Sequence, residues 1–150
     1  AVFPMLARRF GSHGRQAAFS LSVRASGAAL VGGTVAAVML GIVLDSVVVR
    51  WFAEYRAALE FLPLLLAAAV FRVADFWTSF LMVIGLEAPL LRLTVLSGAI
   101  CSITWIAFVR PWSGGVIELV DVAALALALA ATSYASAALA SWRAVTRRAS

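Results

Sequence analysis

The sequence has no lysine, one cysteine, one histidine and few charges of any kind. Each shortage excludes something. Charged residues are 13% of the chain, about half the ~25% of ordinary soluble domains. The lone Cys101 has no partner for an internal disulfide and no ligand-spaced neighbour, so it reads as a small packing residue. His13 has no Cys, Asp or Glu nearby, which leaves a metal site without ligands. Neither a glycine-rich phosphate loop nor a nucleophile motif is present. Nothing in the residues points to an enzyme, and no cofactor or metal is expected. All twelve basic residues are arginine, and the formal net charge is +5. They gather at the ends of apolar runs rather than along one polar face, which argues against nucleic acid and for membrane-topology signals.

What remains is hydrophobic. Apolar residues make up 64% of the chain, against roughly 45–50% in soluble domains. A globule of 150 residues has too much surface to hide that share, whereas lipid accepts it. Four spans of about 20 residues each, with short loops, fill the length and leave no soluble domain over. The runs are continuous, whereas barrel strands would be about 10 residues long and alternating. The expected fold is an all-α integral membrane bundle of about four transmembrane helices.

Residues 1–25 read as the apolar end of a preceding helix followed by a basic cytoplasmic loop with Arg8, Arg9, Arg15 and Arg24. A short surface helix is expected over residues 16–23. The four-helix region is residues 26–142, and residues 143–150 form a basic cytoplasmic tail. The spans are expected near Ser26–Val49, Ala57–Ile84, Leu90–Phe108 and Val116–Ala140. Trp51, Phe52 and Tyr55 mix with Arg50, Glu54 and Arg56 between the first two spans, as a membrane–water interface selects. Gly85, Glu87 and Pro89 mark the next turn, and Arg110 to Gly115 the last. With the N-terminal segment inside, eight arginines are cytoplasmic and Arg50, Arg56 and Arg110 are outside, so both ends are expected in the cytoplasm.

Three features carry possible function. Arg72 and Asp75 fall near the middle of the second span, where a charge costs about 2.5–3.5 kcal/mol. Three residues apart on one helix, they share a face. Either Arg72 lines a cavity and meets an anionic substrate with Asp75 orienting it, or the two neutralise each other and staple this helix to a neighbour. Gly33, Ala37 and Gly41 recur every four residues and would let another helix approach closely. Pro63 is a hinge candidate, because proline removes a backbone hydrogen bond and kinks helices, though lipid also tolerates it. Glu118 and Asp121, near Ser113, read as first-turn charges of the last helix, and Glu60 likewise for the second.

The order of features resembles the C-terminal portion of polysaccharide flippases, the O-antigen and capsule type of the multidrug/oligosaccharidyl-lipid/polysaccharide exporter superfamily. Phe3-Pro4-Met5-Leu6-Ala7-Arg8 is similar to the Pro-x-Leu-Ala-Arg element with which a helix of that family exits into a basic loop. A span with Asp45 near its outer end follows, then Trp51-Phe52 with Arg56, the turn Gly85-Leu86-Glu87-Ala88-Pro89, and Gly114-Gly115 before the last span. The chain lacks the second half-bundle of a family member. The resemblance implies that it is the last four spans of a larger transporter of roughly 12–14 helices. The missing initiator methionine and abrupt apolar start are expected of such a piece.

The resemblance further implies transport of an undecaprenyl-pyrophosphate-linked oligosaccharide across the bacterial inner membrane, by alternating access without covalent chemistry. Its expected partners are that anionic lipid-linked saccharide, membrane lipid and the remaining helices. Arg72 suits the anionic headgroup by chemistry, although no family motif carries it over. The alternatives are a small four-helix exporter acting as a homo-oligomer and a non-catalytic scaffold subunit.

Overall fold

The computed structural model describes residues 2–109 and 118–146. Among them there is no strand, and the elements are α1 (Val2–Trp51), a 3-10 helix (Ala53–Glu60), α2 (Leu62–Val73), α3 (Phe76–Val83), α4 (Glu87–Thr104), a π-helical turn (Trp105–Val109) and α5 (Leu119–Thr146). Four helical stretches are long and apolar enough to cross a membrane: Gly14–Trp51, Leu62–Val83, Glu87–Ala107 and Leu119–Thr146. Helices suit that environment because each satisfies its own backbone groups. The chain is thus an all-α bundle with the makings of a membrane protein. The expected last turn, with Arg110, Ser113 and Gly114-Gly115, lies outside the described residues.

The expected basic loop before the first span is not there. α1 breaks only at Gly14, whose φ of 78° suits glycine, and is helical from Arg15 to Trp51. No proline interrupts that stretch, so nothing stops the helix. The stretch Gly14–Trp51, 38 residues long, rises roughly 57 Å, well over the ~30 Å of a hydrocarbon core. The surplus packs against protein. Ala18 joins Leu6 and Phe80 in a fully buried cluster, and Phe19 meets the rings of Trp77 and Phe80 at 5.8 and 5.7 Å. Arg15 Nη1 donates to the Ala144 carbonyl at 3.2 Å, in the last turn of α5, where a cation suits the helix dipole.

The hinge expected at Pro63 is not there either. The second span starts at Leu62 rather than Ala57, so Pro63 falls in the first turn of α2. A proline there lacks only an N–H that had no helical acceptor, and its φ already suits the helix. Pro63 begins a helix and bends none.

α1 runs antiparallel to α2, with Ser26 opposite Ala74, Gly33 opposite Val70 and Gly41 opposite Leu66. A Cβ on Gly33 would stand 3.4 Å from Val70 Cγ1, and one on Gly41 would stand 3.6 Å from Leu66 Cδ1. The small-residue face of α1 therefore looks at α2 within the same chain. α5 packs mainly on α2 and α4 and also on α3, while α1 packs on α2 and α3 and touches α5 more narrowly. In α5 the buried Ala123, Ala130 and Ala137 recur every seven residues, which keeps one seam of α5 thin enough for close approach. α3 ends in a Schellman turn: Leu86 N–H donates to Leu81 O and Gly85 N–H to Met82 O, with Gly85 at φ 75°. At the start of α5, the Asp121 carboxylate accepts from the Glu118 N–H at 3.2 Å, the return bond of a capping box.

Candidate functional site

The second span is interrupted midway. α2 stops at Val73 and α3 starts at Phe76. Asp75 makes the break, with φ −78° and ψ 71°, the centre of an inverse γ-turn in which Phe76 N–H donates to Ala74 O at 2.9 Å. The Asp75 carboxylate then caps α3, accepting from Thr78 N–H at 3.2 Å and from Thr78 Oγ1–H at 2.7 Å. Asp-x-x-Thr suits this, because a short acceptor at the N-cap satisfies an otherwise orphan N–H.

A break in an apolar span leaves backbone groups that lipid cannot satisfy. The Ala74 carbonyl is met by Ser26 Oγ–H at 2.8 Å, and Ser26 Oγ lies 2.7 Å from Tyr134 Oη. Ser26 is buried. The Tyr134 ring packs on Phe71 with centroids 5.6 Å apart. One polar node thus ties α1, the α2–α3 break and α5 together. Removing its hydroxyls singly and together, as Ser26→Ala, Tyr134→Phe and the double variant, should give a coupling of about 0.6 to 1.7 kcal/mol. Reversible unfolding in mixed micelles measures it, and additive effects would show that the two hydroxyls do not act together.

Arg72 does not pair with Asp75. Among the described residues it makes no ion pair or hydrogen bond, and it is exposed. The break accounts for this: both Asp75 oxygens are taken by Thr78, and the two charges belong to different helices. Each sits where a helix dipole favours it, Arg72 in the last turn of α2 and Asp75 at the N-cap of α3. The self-neutralising pair is therefore replaced by one capped carboxylate and one bare guanidinium in mid-span.

Gly33, Ala37 and Gly41 lie on the α1–α2 contact, away from the node, and Pro63 lies at the start of α2. Cys101 Sγ stands 3.3 Å from Thr132 Oγ1 across α4 and α5, a packing contact. Among the described residues, no three of His, Cys, Asp and Glu come together. Sequence reasoning misses Ser26, Tyr134 and Thr78. Only Thr78 has a local signal, its spacing of three from Asp75. Ser26 is 48 residues from Ala74 and 108 residues from Tyr134, and no short-range pattern joins them.

The comparisons with known proteins add no relative: no protein-family model matches the chain, nor does any curated protein or solved structure.

Proposed function

We propose that this chain is part of a transporter that carries an anionic, lipid-linked saccharide across the bacterial inner membrane for surface polysaccharide synthesis, with both ends in the cytoplasm. The observation that supports it is the bare Arg72 guanidinium beside a helix interrupted midway through its span. Broken helices in membranes gather at substrate sites, and a lone intramembrane arginine is costly against lipid. A pyrophosphate headgroup is a fitting partner, because a guanidinium donates to phosphate oxygens through two parallel N–H bonds. A cavity around Arg72 would need further helices to wall it. No bond is made or broken in this cycle. Helices rock about the central charge while the prenyl chain stays in lipid.

The test is transport of an undecaprenyl-pyrophosphate oligosaccharide into the outer leaflet of vesicles carrying the full protein, with insertion checked by protease accessibility. Arg72→Ala is expected to insert normally and lose about tenfold or more in transport, with Arg72→Lys between it and the parent. Full transport by a normally inserted Arg72→Ala protein sinks the reading.

A further inference from the structure

A groove of about 490 Å³ runs between α1 and α2. One end is lined by Leu30 and Phe71, the walls include Val38 and Leu66, and the other end holds Leu59 and Asp45. From Leu30 to Asp45 the groove climbs roughly 22 Å along α1. One leaflet with its headgroup layer is about 20–22 Å thick. The apolar end is level with the middle of the Leu62–Val83 span, beside Phe71. The Asp45 end is level with the start of α2 and the aromatic turn of Trp51, Phe52 and Tyr55, where side chains of that type mark the interface.

Among the described residues, two polar side chains line the groove and no basic one does. Thr34 spends its hydroxyl on the Leu30 carbonyl at 2.7 Å. Asp45 makes no hydrogen bond or ion pair with any described residue. The other charges at this end, Arg50, Glu54, Arg56 and Glu60, balance two against two. The groove also opens sideways, since Val38 on its wall is 56% exposed.

We propose that this groove seats one phospholipid, one of its two acyl chains along Leu66 and Val38 and its headgroup ammonium against Asp45. The lipid is a phosphatidylethanolamine. Its primary ammonium donates charge-assisted hydrogen bonds to a carboxylate, a quaternary choline has no N–H to donate, and a phosphatidylglycerol headgroup is repelled by Asp45. The site is independent of the transport reading, since it uses neither Arg72 nor the helix break.

Native mass spectrometry of the whole protein, released from mild detergent with equal amounts of phosphatidylethanolamine, phosphatidylcholine and phosphatidylglycerol, tests this. The expected result is a single retained lipid with phosphatidylethanolamine favoured about tenfold. Asp45→Asn should bring the three lipids near parity, and Asp45→Glu should keep the preference. Val38→Trp, filling the groove from its exposed edge, should remove the adduct, while Arg72→Ala should leave it unchanged. Equal retention by the parent protein, preference for phosphatidylglycerol, or a lipid-free dimer overturns the proposal, and the parent competition decides even if a variant fails to insert.

Discussion

Truncating Phe80 to alanine is expected to destabilise the protein by about 2–3 kcal/mol. Phe80 is fully buried, clustered with Leu6 and Ala18 and edge-on to Phe19. In a water-soluble core such a truncation costs about 3–5 kcal/mol, part from lost transfer out of water and part from the cavity left behind. In a membrane the unfolded helices stay in lipid, so the transfer part shrinks and the packing part remains. The measurement is reversible unfolding in mixed micelles with a denaturing detergent. Met82 on the same helix is 41% exposed, and Met82→Ala should fall within about 0.5 kcal/mol of the parent. If the two variants are equally stable, Phe80 does not hold α1 and α3 together.

The second large effect is a contrast between neighbours. Gly33→Leu should cost about 1–3 kcal/mol, since atoms beyond a Cβ already 3.4 Å from Val70 Cγ1 must push α1 off α2. Gly32→Leu should be neutral or slightly stabilising, because nothing lies within 4 Å of where its Cβ would stand and leucine is the better helix former. The same unfolding experiment reads both. Equal effects would mean that the α1 stripe does not face α2.

Much of this architecture is legible from residue order. The four spans follow from apolar runs, and the aromatic turn after α1 and the Gly85 turn follow from their residue types. The small-residue stripe of α1 is legible as a face, yet its partner is not, since periodicity says which side of a helix is thin and not what rests against it. The expectations for Pro63 and for the Arg72–Asp75 pair fail for one shared reason. Both assume one unbroken helix from Ala57 to Ile84, whereas the helix starts at Leu62 and breaks at Asp75. Mean hydropathy does not place that break, because Leu62–Val83 as a whole is long and apolar enough to read as one span despite Arg72 and Asp75. Asp75 with Thr78 three residues on is the one local sign of a new helix start.

The sequence alone determined that the chain is helical, that it has four stretches able to cross a membrane, and that turns fall after α1 and at Gly85. Those are consequences of solvent: a long apolar run must satisfy its own backbone, and only a helix does so within one segment. The tertiary structure decided where the second span breaks, which carbonyl Ser26 and Tyr134 satisfy, and that Arg72 is left without Asp75. These depend on hydroxyls and carbonyls brought together from distant parts of the chain. Interactions of that kind are set by how helices pack, which local hydropathy does not encode.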